Sequence, residues 1–196
     1  AIMAFWGAPL SIDDHAARAV ISALEIQNAL AARSKLTTRI GIHTGLAVVG
    51  NIGSDIRFNY TAIGDTVNLA SRLEGLNKKF GTLIIISAPT YNDAKNFIEA
   101  RKIGKVGVKG RAQPIEIYEP LGKKGEFGKF SETFLNNFSA ALMEFEKGNF
   151  SLAKDLFTKT SKETDDSVSN YYYGLCGEYI KNPPKNFDGV IVFSSK

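Results

Sequence analysis

Two polar side chains, Asn68 and Arg72, lie four residues apart in a segment whose apolar residues recur with helical spacing. Residues four apart share one face of a helix, so both side chains project in the same direction. A guanidinium matches the geometry of phosphate oxygens, and an amide can orient a sugar or a leaving oxygen. This face is therefore a candidate nucleotide-binding surface, although a solvated helix face would explain the same spacing.

A strand and a tight turn must position this helix. Residues 57–63 alternate polar and apolar side chains, as a half-buried strand does, and Gly64 and Asp65 form the turn that follows. Asp65 is expected to be the N-cap of the helix, which should run to about Lys79. Residues 46–49 are rich in β-formers and pair with the strand in a predicted hairpin.

The other periodicities complete an α+β pattern, in which helices pack on one sheet. Strands are predicted near 1–6, 39–45, 82–87, 98–108 and 115–118, and helices near 11–32 and from residue 89.

A change of composition divides the chain. Residues 121–129 are rich in Gly and Lys and lack periodicity, which predicts a linker between a first domain at 1–120 and a helical tail at 130–196. Two helices joined by a turn, and a third helix, are predicted in the tail, which resembles one tetratricopeptide-like helix pair with a capping helix. A single such unit has too little core to stand alone, so we expect the tail to dock on another surface.

The string at residues 58–74 closely resembles the nucleotide-binding segment of the class III adenylyl and guanylyl cyclases. Residues 1–9 resemble the strand and turn after that family's second metal-binding aspartate, residues 39–53 its central hairpin and residues 108–119 its closing hairpin. The resemblance implies a ferredoxin-like α+β domain that pairs head to tail with a second cyclase domain. It also implies that the ribose 3′-hydroxyl of ATP attacks the α-phosphate and expels pyrophosphate.

The resemblance also implies roles at five positions. Asn68 would orient the ribose, Arg72 would stabilise charge on the α-phosphate, and Lys109 would contact the terminal phosphates. Thr61 stands at the base-selecting position, where a hydroxyl suits adenine, and the backbone of Ile63 would also contact the purine. Thr61 therefore favours ATP over GTP and cyclic AMP as the product.

Each of these residues also has a plainer explanation. Thr61 fits a β-branched strand residue and Lys109 a solvated hairpin lysine. His43 has no partner nearby in the sequence and is interpreted as structural, and Cys176 is interpreted as a buried apolar thiol.

The resemblance further implies two divalent ions, Mg or Mn, which two aspartates bind. In the family these aspartates and an adenine-contacting lysine precede the segment that matches residues 1–9, so we expect them upstream of Ala1. The sequence begins without Met, in an apolar run, which indicates a fragment. The resemblance implies that the first strand and helices of the domain are missing from it. Alone it is expected not to turn over ATP, because two-metal activation of the 3′-hydroxyl needs those carboxylates.

Charge and hydropathy limit the possible partners. The net charge of +4 comes from scattered Lys and Arg residues and no nucleic-acid motif accompanies it, so no nucleic-acid partner is expected. The apolar stretches are much shorter than the ~20 residues that span a bilayer, and no membrane contact by this segment is predicted. The single cysteine fits a cytoplasmic protein, and a membrane anchor in the missing N-terminal region would be compatible with this.

Three hypotheses follow. The chain belongs to a homodimeric adenylyl cyclase, with a guanylyl cyclase as the variant that Thr61 disfavours; or it is a degenerate cyclase-homology domain without catalysis; or its tail is an interaction module. The presence of Thr61, Asn68 and Arg72 together argues against degeneracy. The single predicted repeat weakens the third hypothesis.

Overall fold

The computed structural model describes residues 2–33, 36–54, 57–107 and 113–193. Within these ranges six α-helices and seven β-strands are present. In chain order they are α1 (His15–Arg33), β1 (Ile40–Ile42), β2 (Val48–Ser54), β3 (Arg57–Ile63), α2 (Asp65–Phe80), β4 (Ile84–Ser87), α3 (Ala88–Ala94), β5 (Ile98–Gly107), β6 (Ile115–Lys123), α4 (Glu132–Glu146), α5 (Phe150–Glu163), α6 (Ser167–Lys181) and β7 (Val190–Val192).

Five of the strands form a mixed sheet in the order β1-β4-β6-β5-β7. β1 is parallel to β4, β6 is antiparallel to both of its neighbours, and β7 is parallel to β5. β2 and β3 form a separate antiparallel hairpin, with Val48 opposite Ile63. The predicted α+β class is confirmed.

Helix α2 lies unusually close to strand β1. A side chain at Gly41 would overlap the backbone carbonyl of Ala70 and the backbone nitrogen of Glu74, so only glycine permits this approach. The buried Asn77 holds the contact, because its Nδ2 donates to the carbonyl oxygen of Ile40 at 3.0 Å. Gly41 and Asn77 therefore fix the position of α2 on the sheet.

The C-terminal helices share one hydrophobic core with the sheet. Side chains of α2, β5 and β6 and side chains of the tail form a single cluster of buried residues. Its fully buried aromatic members are Phe80, Phe134, Phe138, Phe145, Phe157 and Tyr172. β6 continues to Lys123, so the first part of the predicted linker lies in a strand, and β7 adds an unpredicted fifth strand from the tail.

Two features of the N-terminal region differ from the sequence prediction. Residues 2–6 do not form a strand, and the side chain of Ile2 is 99% exposed. A strand needs a hydrogen-bonded neighbour, and no strand of the described ranges pairs with this run. Helix α1 begins at His15, later than predicted, and Asp14 just before it pairs with Arg18 at 2.7 Å.

The apolar side of α1 consists mainly of small residues that are buried against the sheet. α1 is the longest helix of the described ranges. Neither it nor any other described helix has the length and apolar character that crossing a bilayer requires.

Candidate functional site

Asn68 and Arg72 lie one turn apart on the exposed side of α2. The residues that follow them, Leu69 and Leu73, are 2% and 0% exposed and pack into the core. The burial of these two leucines fixes the rotation of α2 about its own axis. It therefore also fixes the direction in which the two polar side chains project. The structure therefore brings together the amide and the guanidinium that the sequence predicted to act together.

The junction before α2 depends on Gly64. Its φ of 143° and ψ of 173° are accessible to glycine and strained for other residues, and it is the N-cap without a side-chain capping hydrogen bond. The prediction that Asp65 is the N-cap is therefore wrong. Asp65 is the first helical residue, where a carboxylate is favourable beside the positive end of the helix dipole.

The loop before β2 is bound to the first turn of α2. The Thr66 hydroxyl donates to the carbonyl oxygen of Leu46 at 2.6 Å. A Cβ at Gly45 would lie 2.9 Å from the Thr66 hydroxyl oxygen, so the loop approaches the helix closely there. Local sequence patterns do not predict this contact, and its only signal is a glycine between two β-rich segments.

Thr61 and Ile63 lie on one face of β3. Between them, Ala62 is 6% exposed and points into the protein, and side chains alternate along a strand. Thr61 is half-buried opposite Gly50, and Ile63 is 49% exposed, immediately before the junction with α2. Four of the five predicted site residues thus belong to one continuous strand–turn–helix segment.

The fifth predicted residue, Lys109, lies outside the described residues. The structure describes β5 as far as Gly107 and the chain again from Gln113. The predicted contact between Lys109 and the terminal phosphates therefore stays a prediction.

His43 takes part in a chain of hydrogen bonds at the end of β1. Its Nδ1 lies 2.8 Å from the Ser87 hydroxyl, which lies 3.2 Å from the Thr90 hydroxyl, and Thr44 reaches the same Thr90 hydroxyl at 3.0 Å. These contacts tie β1 to the junction of β4 and α3, as the structural interpretation of His43 implies. His43 also borders a cleft of about 560 Å³ whose other lining residues include Leu69 and Gln113.

Cys176 is fully buried among the tail helices. Burial raises the pKa of its thiol to about 12, and the nearby charge of Lys154 acts in the opposite direction. The neutral thiol is therefore the form present near neutral pH, as expected of an apolar core residue.

No cluster of three or more His, Cys, Asp or Glu side chains that could bind a metal ion occurs in the described ranges. The described residues therefore do not fit a site for two divalent ions.

The sheet and the strand–turn–helix segment with Asn68 and Arg72 both lie mainly in the first two thirds of the chain. The family model for the adenylate and guanylate cyclase catalytic domain matches residues 1–121. The chain belongs to this family.

Similar proteins include both adenylate and guanylate cyclases. Adenylate cyclase 1 of Rhizobium meliloti is 41% identical over 130 residues, which are 62% of this chain and 20% of that protein. The adenylate cyclase of Anabaena cylindrica is 41% identical over 88 residues, 43% of this chain and 18% of that protein. The chain thus spans about a fifth of the length of these curated relatives.

A solved structure of similar fold is the guanylate cyclase domain from Catenaria anguillulae in complex with GTP. It is 31% identical, with a TM-score of 0.50 over 60% of this chain and 65% of that one. Because both adenylate and guanylate cyclases are similar to the chain, family membership leaves the choice of purine open.

Proposed function

We propose that this chain supplies the nucleotide-binding side of an adenylyl cyclase, which converts ATP to cyclic AMP and pyrophosphate. The observation that carries the proposal is the exposed face of α2, on which Asn68 and Arg72 lie one turn apart directly after β3. The opposite side of α2 is buried, so this face holds a guanidinium and an amide in fixed positions. Such a face suits a nucleotide that reacts at its α-phosphate.

In the proposed reaction, the ribose 3′-hydroxyl gives its proton to water and its oxygen forms a bond to the α-phosphorus, while the bond from that phosphorus to the bridging oxygen of pyrophosphate breaks. Negative charge grows on the α-phosphate and on the leaving oxygen, and Arg72 stabilises it. Asn68 hydrogen-bonds the ribose so that the 3′-oxygen stands in line with the bond that breaks. Lys109 neutralises the terminal phosphates that depart as pyrophosphate.

The choice of ATP is proposed to depend on Thr61. Its hydroxyl accepts a hydrogen bond from the 6-amino group of adenine, where guanine presents a carbonyl oxygen. The backbone of Ile63, on the same face of β3, contacts the purine as well. GTP is the competing substrate, because a guanylate cyclase domain is among the similar structures.

A second cyclase domain is the proposed partner, in a homodimer. Leu46 is 97% exposed, Val48 66% and Ile63 49%, and all three lie on or beside the β2–β3 hairpin, where Val48 stands opposite Ile63. Exposed apolar side chains that lie together are typical of an interface. We further propose that two Mg or Mn ions are bound by aspartates from outside this chain.

Purified full-length protein, given ATP or GTP with Mg or Mn, tests the proposal. Cyclic AMP and pyrophosphate are expected in equal amounts, with much less product from GTP, and the 196-residue chain alone is expected to form none. Full-length protein that forms no cyclic nucleotide would refute the proposed function. Turnover by the chain alone would refute the proposed origin of the metal ligands.

A further inference from the structure

We propose that helix α6 of the tail is a positioning element of the active site. Tyr172 and Asp166, which are remote from the nucleotide-binding face, hold α2 and β5 in the orientation that turnover requires. This inference rests on the proposed cyclase function. It assigns the C-terminal segment, which lies outside the 1–121 match to the family, a part in the same reaction.

Tyr172 is the first of the contacts between α6 and the sheet. Its side chain is fully buried, and its hydroxyl donates to the carbonyl oxygen of Ile103 in β5 at 2.7 Å. The next residue, Gly104, has a φ of 147°, and a side chain there would overlap the Tyr172 hydroxyl. β5 also shifts its register against β6 between Lys102 and Gly104. The irregular backbone of β5 therefore accommodates this tyrosine.

Helix α6 also contacts the C-terminal end of α2. The ring of Phe80, the last residue of α2, lies 4.9 Å from the ring of Tyr171 and 6.3 Å from that of Tyr172. Gly81 follows in the left-handed conformation with a φ of 71°, and a side chain there would overlap Ser167, the first residue of α6. The end of α2 and the start of α6 thus pack directly on one another.

An ion cluster makes the third contact. The Arg101 guanidinium of β5 donates to both carboxylate oxygens of Asp166, at 2.9 Å and 2.7 Å, and its Nε donates to Glu119 of β6 at 2.8 Å. Asp166 is the N-cap of α6 and accepts from the backbone N–H of Ser169 at 2.9 Å. One buried cation therefore joins two adjacent strands to the first turn of α6.

Two aromatic rings of the tail restrict the same guanidinium. The centroids of the Phe130 and Phe138 rings lie 4.4 Å and 4.6 Å from the central carbon of Arg101. Together with the bidentate ion pair, these cation–π contacts restrict the orientation of the guanidinium. The cluster therefore favours one orientation of α6 on β5.

These contacts reach the proposed catalytic residues through α2 itself. Leu69 and Leu73 belong to the same buried cluster as Tyr172. Arg72 lies eight residues before Phe80, about 12 Å along the helix axis. A tilt of α2 by about 5° about its C-terminal end would move Arg72 by about 1 Å, a displacement that can reduce turnover by up to about a hundredfold.

Neighbouring tyrosines provide a matched test in the full-length protein. Tyr172→Phe removes only the hydroxyl and keeps the ring in the core, whereas the 43% exposed Tyr173 lies on the same helix away from the sheet. We expect Tyr172→Phe to lower kcat about tenfold with KM within about twofold, and Tyr173→Phe to change neither. An unchanged kcat in Tyr172→Phe would overturn the proposal.

A double-mutant cycle separates positioning from general stability. If Tyr172 acts through α2, Tyr172→Phe should lower kcat less than about threefold in an Arg72→Ala background, because the group that it positions is already lost. A loss of equal size in both backgrounds would mean that Tyr172 serves stability alone, and would overturn the proposal. Asp166→Asn, with the adjacent Asp165→Asn as control, is expected to repeat the pattern of Tyr172→Phe.

Amide hydrogen exchange on the 196-residue chain tests the same coupling without any activity. Tyr172→Phe should accelerate exchange more than about tenfold in the second half of α2 and at residues 101–107, and less than about threefold in α1 and α3. Uniform acceleration across the chain would overturn the proposal. Local acceleration combined with an inactive full-length protein would instead mean that the proposed function fails while the α6–α2 coupling stands.

Discussion

At the scale of single residues, each polar side chain of the site stands beside an apolar residue that determines its direction. Leu69 and Leu73 do this for Asn68 and Arg72. Ala62 does it for Thr61, since its burial turns the threonine to the opposite face of β3. The packing of these apolar neighbours therefore sets the direction in which the polar side chains of the site project.

Thr61 allows a direct test of purine choice. Replacing its hydroxyl with the methyl group of valine, in Thr61→Val, keeps the shape and removes the hydrogen bond to adenine. We expect kcat/KM for ATP to fall about 10- to 100-fold in the full-length protein, about 1–3 kcal/mol of transition-state binding, with a smaller change for GTP. Ser71→Ala on the exposed side of α2 is the control, and an equal loss for both nucleotides would contradict the assignment.

The raised pKa of the Cys176 thiol predicts how the free energy of unfolding changes at alkaline pH. Burial raises the pKa of its thiol to about 12 from an ordinary 9.0, so above pH 9 the unfolded chain loses this proton while the folded chain keeps it. Folding stability contributed by the neutral thiol is therefore complete below pH 9 and declines as the pH rises, by about 2–3 kcal/mol at pH 11. Urea unfolding at pH 7, 9 and 11 measures this decline in the free energy of unfolding.

Cys176→Ala is the reference for that measurement, because it removes the thiol and leaves every other titratable side chain in place. The Cys176→Ala variant should lose less stability between pH 9 and pH 11 than the parent does. Parallel curves for the two proteins would show that the thiol has an ordinary pKa.

At the scale of elements, the position of α2 on β1 depends on the absence of a side chain at Gly41. We expect Gly41→Ala to lower the free energy of unfolding by about 1–3 kcal/mol, because the added methyl group overlaps the α2 backbone. Gly75→Ala is a matched control within α2, where a Cβ meets nothing within 4 Å. It should raise stability by about 0.5–1 kcal/mol. Urea unfolding measures both, and equal effects would contradict the close approach.

Local sequence patterns predicted those helices and strands whose formation depends on nearby residues. α2 and the hairpin before it followed from periodicity and turn residues, and four of the five site residues lie on them as predicted. The N-cap of α2 was assigned to Asp65 because aspartate is a common N-cap, whereas the backbone conformation at Gly64 decides the junction. Residues 1–6 were predicted as a strand from their apolar character and from the family resemblance, and neither of these supplies a pairing partner.

At the scale of the whole molecule, the tail and the sheet form one body. Phe80 of α2 packs on Tyr172 of α6, and β7 adds a strand to the edge of the sheet beside β5. A three-residue strand carries almost no sequence signal, and contacts between residues about 90 positions apart leave none in local periodicity. The sequence predicted that the tail docks on another surface. In the structure, that surface is the sheet of the same chain.

The exposed hairpin surface predicts an association between domains. Leu46→Lys places a charge in the proposed interface, at a residue that is 97% exposed, so the folded domain should tolerate it. We expect the dimer dissociation constant of the full-length protein to rise at least about tenfold in sedimentation experiments. Leu152→Lys, at a half-exposed leucine of α5, is the control. Equal dimer affinity in all three proteins would place the interface elsewhere.

The central claim is that the exposed face of α2 stabilises the transition state of cyclisation. Its most direct test is the steady-state kinetics of full-length protein carrying Arg72→Ala, with Lys79→Ala on the same helix as the control. Arg72→Ala is expected to lower kcat with ATP about 100- to 1,000-fold and to change KM less than about threefold, while Lys79→Ala leaves both near their original values. A loss confined to KM, or the same loss in both variants, would contradict the claim.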